Sequence, residues 1–171
     1  MEHKKSKALL FMALYHLLNK KRYEDITIKE ICDKAGISRM SFYRSFSSKD
    51  DILIGYCDEA FENFFEDFSK LKNPSGYDLL LAIFSFWEKN KRQLLTLEKA
   101  NKLNLLMPQF ESYTRYIMSK LDHSELSIIK KNPLSVPIIS GAAYSILLYW
   151  LNNNFKETPV ELANYTLHMH D

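Results

Sequence analysis

The sequence predicts an all-α chain, on three observations. Glycine and proline are scarce, four and five in 171 residues, whereas all-β folds consume both in their many turns. Apolar residues recur three and four positions apart along most of the length, the spacing of one helix face. Helix starts are written as caps, a Ser or Thr followed three positions later by an acid. With 46% hydrophobic and 26% charged residues, the chain has the balance of an ordinary globular protein with a core to bury. Its length suits one domain, or a small head on a larger body.

The first helix is read over 5–20, with Leu9, Met12, Ala13 and Leu17 as its inner stripe, and it stops at the basic cluster Lys20-Lys21-Arg22. Thr27-Ile28-Lys29-Glu30 has the form of a capping box and opens a short second helix that runs to about 34. Gly36 then supplies the left-handed residue that a sharp exit needs. Ser38 caps a third helix over 38–44. Two short helices across such a turn must cross steeply, which is a helix-turn-helix. Phe42 and Phe46 face inward and are expected to pack under Leu9, Ile28 and Ile31. Ser47 or Ser48, with Asp50 and Asp51 behind it, starts a long fourth helix of about 48–71, which Asn73-Pro74-Ser75-Gly76 breaks. Its stripe is Leu53, Tyr56/Cys57, Ala60, Phe64 and Phe68. Further helices are read at about 77–90, 92–105, 109–121, 137–153 and 158–169, punctuated by Pro108, Pro133, Pro137 and Pro159. Residues 123–136 are ambiguous, since His123-Ser124-Glu125 could open one more short helix. The expected organisation is a helix-turn-helix head over 1–50, the helix of 48–71 as a connecting rod, and a body over 51–171.

Charge is divided along the same line. Residues 1–50 hold eleven Lys/Arg against six Asp/Glu, a net +5, and the remainder is net −3. A basic head on an acidic body points to a polyanion as the head's partner. The third helix presents Ser38, Arg39, Met40, Ser41, Tyr43 and Arg44, a donor-rich face suited to a DNA groove lined with acceptors.

Other chemistries find little support. The four glycines are too dispersed for GxGxxG or a P-loop, so dinucleotide and P-loop enzymes are excluded. Cys32 and Cys57 have no CxxC spacing and no secretory leader is read at the start, a combination expected of the cytoplasm. The most apolar stretches, 8–18 and 136–151, are too short to span a bilayer. His3, His16, His123, His168 and His170 are scattered. No catalytic constellation, metal site or cofactor is expected.

The run Thr27-Ile28-x-x-Ile31-Cys32-x-x-Ala35-Gly36-Ile37-Ser38-x-x-Ser41-Phe42-Tyr43-Arg44-x-Phe46-x-x-Lys49-x-x-Ile52-Leu53 resembles the DNA-binding head of the TetR family of one-component transcription regulators. The likeness covers about residues 5–55. It implies that Thr27, Tyr43 and Lys49 grip phosphates, and that Arg39, Met40, Ser41 and Arg44 lie against bases. Met40 stands where the family often has glycine, and Ser45 where an aromatic or histidine is usual, so the operator sequence does not follow.

The body resembles the family more loosely, at Ser140-Gly141-Ala142-Ala143-x-x-x-Leu147-Leu148-x-Trp150-Leu151 and Thr158-Pro159-x-Glu161-Leu162. This implies that the last two helices pair with their copies in a second subunit. Small residues there permit close helix approach, and the apolar run has more faces than one small core can cover. Ile138, Ala142, Ser145 and Tyr149 are the expected interface of the homodimer. The resemblance further implies an effector pocket in the middle helices, where Phe84, Trp87, Met107, Phe110, Tyr113 and Tyr144 could enclose an apolar or aromatic small molecule. Aromatic stripes are also the ordinary filling of a helical bundle. The expected function is a ligand-responsive repressor that binds a palindromic operator in double-stranded DNA. The alternatives are an activator answering a protein partner, and a helical-bundle carrier or enzyme that keeps the helix-turn-helix as scaffold.

Overall fold

The computed structural model describes residues 2–71, 74–120 and 132–168, with side chains from Ser6 onward. Among these residues every regular element is helical: α1 (Glu2–Leu18), α2 (Ile28–Ala35), α3 (Arg39–Tyr43), α4 (Lys49–Phe68), α5 (Gly76–Lys89), α6 (Lys91–Lys99), a 3-10 turn (Leu103–Leu105), α7 (Leu106–Lys120), α8 (Ser135–Asn152) and α9 (Pro159–Leu167). The chain divides into two compact units, Met1–Lys72 with Lys89–Leu103, and Asn73–Glu88 with Asn104–Asp171. His123, His170 and most of the ambiguous 123–136 stretch lie outside the described residues, as do the ends expected at 121 and 169.

In the first unit α1 packs against α2, α4 and α6. Leu10, Phe11, Leu14, Ile26, Ile31, Phe42, Ile52 and Leu53 are fully buried, and Phe11 stacks on Tyr56 with ring centroids 4.0 Å apart. The inner stripe of α1 is therefore turned from the expected one: Ala13 is buried as expected, but Leu9 is 43% exposed, Met12 and Leu17 are half-buried, and Leu10, Phe11, Leu14 and Leu18 face the core. Residues 8–14 are apolar on every side, so periodicity alone allows either stripe. Phe42 and Phe46 are buried as expected, without Leu9 above them. Phe46 lies so close over Gly55 that a Cβ there would meet its Cε1 at 3.1 Å, which accounts for a glycine inside α4.

In the second unit α7 runs along α8, and a set of aromatic rings packs among buried Leu106, Ile117, Leu147, Leu151 and Leu162. Phe84 and Trp87 of α5 meet edge to face at 5.4 Å. Phe84 also meets Trp150 of α8 at 6.2 Å, and the Trp150 indole N–H donates to the Glu157 carbonyl at 2.9 Å.

Several boundaries differ from the expected ones; α1 begins at Glu2 and not at 5, and α4 ends at Phe68 and not at 71. α7 begins at Leu106, before Pro108 and not after it, and α8 at Ser135, just ahead of the expected start at Pro137, because a proline lacking its N–H is tolerated in a first turn, where amides have no intrahelical acceptor. α6 stops at Lys99 instead of running to 105. Asn101 takes the left-handed conformation with φ 54°, and the Lys102 N–H closes back on the Leu97 carbonyl at 2.8 Å while that of Asn101 reaches Glu98 at 2.8 Å. This is a Schellman stop with Asn in place of Gly.

Candidate nucleic-acid interface

The helix-turn-helix is built by local caps. The Thr27 hydroxyl accepts from the Glu30 N–H at 3.2 Å, and the Glu30 carboxylate accepts from the Thr27 N–H at 2.9 Å. Lys21 also donates to Glu30 at 2.5 Å. That ammonium, with the two Thr27 donors, holds the Glu30 carboxyl down at about 2. Gly36 ends α2 with φ 67°. Ser38, extended and outside the helix, caps α3 by accepting from the Ser41 N–H at 3.1 Å.

α3 has five residues and buries one of them, Phe42. The ring fixes the helix on the core, and the remaining side chains point outward by helical geometry. Arg39, Met40, Tyr43 and Arg44 are exposed, Met40 at 77%. Arg44 donates from Nη2 to the Ser41 Oγ at 2.9 Å, and the Ser38 and Ser41 hydroxyls are 3.0 Å apart, so one hydroxyl-guanidinium row lies along the helix. Six of the eight residues expected at DNA, Ser38 to Ser41 with Tyr43 and Arg44, thus share one short exposed element. Thr27 is exposed at the start of α2, with its hydroxyl engaged in the cap.

Lys49, expected at a phosphate, is engaged within the chain. Its ammonium donates to the carbonyls of Tyr23 and Ile26, both at 2.7 Å, and sits 4.4 Å from the centre of the Tyr23 ring. An ammonium has three donors, so at most one remains for a phosphate. Burial lowers the Lys49 ammonium's affinity for its proton. The neighbouring Tyr23 hydroxyl donates to Asp50 at 2.5 Å, and Lys102 donates to the other Asp50 oxygen at 3.1 Å. Burial and the Asp50 carboxylate push the Tyr23 phenol well above its ordinary range. Tyr23, Asp50 and Lys102 were not foreseen at this site; the pairs are 27 and 52 residues apart, and no local pattern joins them.

A turn closed by a left-handed glycine, a Ser-capped second helix and an exposed donor row are the parts a major-groove reader requires. Two family models match the chain. A model described as bacterial regulatory proteins of the tetR family matches residues 10–55, and one described as the transcriptional regulator C-terminal region of that family matches residues 76–171. The chain belongs to the TetR family. It is a DNA-binding transcription regulator. No curated protein matches it. The N-terminal match spans the whole helix-turn-helix and ends on α4, and the C-terminal match takes in α5 to α9, including the α6 segment that the structure groups with the N-terminal helices.

The residues expected to line an effector pocket of this TetR-family chain all fall in the second unit. Phe84, Trp87 and Phe110 are buried; Met107, Tyr113 and Tyr144 are half-buried. Trp87 meets Phe110 at 5.5 Å and Phe110 meets Tyr144 edge to face at 5.8 Å, so α5, α7 and α8 are joined by rings in contact. The residues expected at the dimer interface lie on the opposite side of α8 from its buried Leu147, Trp150 and Leu151. Ile138 is 62% and Tyr149 53% exposed, with Leu134 at 60%, and Ala142 and Ser145 are exposed between them. Burial pushes the Cys57 thiol up to about 12 and raises that of Cys32, which makes both poor nucleophiles. No helix among the described residues is long and apolar enough to cross a membrane.

Proposed function

We propose that this TetR-family regulator is a cytoplasmic repressor that binds an inverted-repeat operator as a homodimer and releases it when an apolar or aromatic molecule occupies the second unit. The observation that carries the DNA part is the exposed Ser38–Ser41–Arg44 row on α3, anchored from beneath by Phe42. Arg39, Met40, Ser41 and Arg44 meet base edges, while Thr27 and Tyr43 meet phosphates, joined by whatever donor Lys49 retains. The dimer is supported by the apolar stripe of Leu134, Ile138, Ala142 and Tyr149, which one subunit leaves in water. An effector would enter by parting the Phe110–Tyr144 contact, since the rings of α5, α7 and α8 already touch.

A titration against duplex DNA over a salt series tests the DNA reading. A dimer holding about six phosphates should lose roughly 10³-fold in affinity between ~50 and ~200 mM salt. Arg39→Ala should weaken binding further at every salt. An affinity constant within twofold across that range would overturn the interface on α3.

A further inference from the structure

The helix-turn-helix begins at Thr27 and ends at the Ser48 cap of α4, and its two ends are tied to each other at one point. Lys49 holds the carbonyls of Tyr23 and Ile26 just before the start. Asp50 accepts the Tyr23 hydroxyl. The next carboxylate, that of Asp51, accepts from the Ser47 and Ser48 N–H groups at 2.7 and 3.0 Å and so holds the corner joining α3 to α4. Tyr23 and Ile26 are buried. A closed loop of this kind keeps α3 at a fixed angle to α4.

One further group closes the knot, and it comes from elsewhere in the chain. Lys102 donates to Asp50 Oδ2 at 3.1 Å and lies 5.1 Å from the Tyr23 ring centre, so that ring has an ammonium from α4 and one from the α6 segment against it. The Lys102 backbone is itself held by the left-handed Asn101 turn. Two more contacts seat α6 on α1, Lys99 to Asn19 at 2.6 Å and Arg92 over Tyr15 at 5.6 Å. The chain leaves the second unit at Lys89 and re-enters it at Asn104, two residues beyond Lys102.

We propose that Lys102 is a positioning residue for DNA reading: its ammonium clamps Asp50 and Tyr23, and so sets the orientation of the helix-turn-helix from a segment belonging to the C-terminal region. This rests on the DNA reading above. Lys102 touches no base and no phosphate; it acts through Asp50. A displacement of the segment between Lys89 and Asn104 loosens the knot and lowers DNA affinity with no change in the side chains of α3.

The sign of one substitution separates this clamp from plain electrostatics. Asp50→Asn removes a negative charge beside a DNA-binding surface, which by charge alone tightens DNA. If Lys102 works through Asp50, Asp50→Asn instead weakens it, by about fivefold or more. Lys102→Met, which keeps the aliphatic stem, weakens it similarly; Lys102→Arg restores most of the affinity; and the double variant Asp50→Asn with Lys102→Met is no weaker than the worse single one. Affinities are read by fluorescence anisotropy on the duplex that the wild-type chain prefers, at a temperature where melting curves show every variant folded. Asp50→Asn binding as tightly as wild type or tighter overturns the clamp, as does a double variant whose loss is the product of the two single losses. A wild-type chain that prefers no duplex overturns the DNA reading itself, and the clamp with it.

Discussion

Phe42→Ala is expected to cost about 3–5 kcal/mol of stability, the usual range for emptying a buried phenylalanine site. Phe42 is completely buried. It touches Phe46 at 5.7 Å and Tyr43 edge to face at 5.2 Å, and it is the only anchor of a five-residue helix. Phe46, one of the rings it meets, lies over Gly55. Against a typical total of about 5–15 kcal/mol, the variant sits near the edge of folding. DNA affinity should fall further than the unfolded fraction explains, because the donor row loses its footing. Urea unfolding followed by circular dichroism measures the cost, and Phe42→Leu should recover most of it. A loss below ~1 kcal/mol would mean that the ring does not hold α3.

Ala142→Glu is expected to abolish self-association while leaving the helices intact. The site is exposed in one subunit, and glutamate is a good helix former, so far-UV ellipticity should stay as it is. In the proposed dimer the carboxylate would be buried without a partner among Leu134, Ile138 and Tyr149, at a cost of roughly 3–5 kcal/mol. That raises the dissociation constant about a hundredfold or more. Sedimentation velocity at micromolar concentration should show the wild type as dimer and the variant as monomer. An unaltered dimer would place Ala142 away from the contact, and a monomeric wild type would remove the interface.

What the sequence revealed of this protein is what lies within a few residues of itself. The Thr27–Glu30 box, the left-handed Gly36 and the Ser38 cap are local units, so residue type and spacing suffice to find them. The seat of α1 was not legible, because a helix apolar on all sides has no single stripe and the partner surface chooses among them. Pro108 misled in the same local way: proline marks a first turn as readily as a break. The knot of Tyr23, Ile26, Lys49, Asp50 and Lys102 could not be read as a unit, since its hydrogen bonds join residues 23 to 52 positions apart and Lys49 alone was singled out, for a different role. The rings of Trp87, Phe110 and Tyr144 were expected together, and they do meet. Their spacing alone could not separate a lined cavity from rings in contact.

The central claim is that two copies of this chain read DNA through α3. Selection from a pool of random duplexes by the wild-type protein, followed by sequencing of the retained fraction, tests it most directly. The expected product is an inverted repeat whose half-sites are centred about 34–36 Å apart or a multiple of that, retained by wild type and lost with Arg44→Ala. Recovery of a pool as random as the one supplied, or of a single asymmetric site held by one subunit, would contradict it.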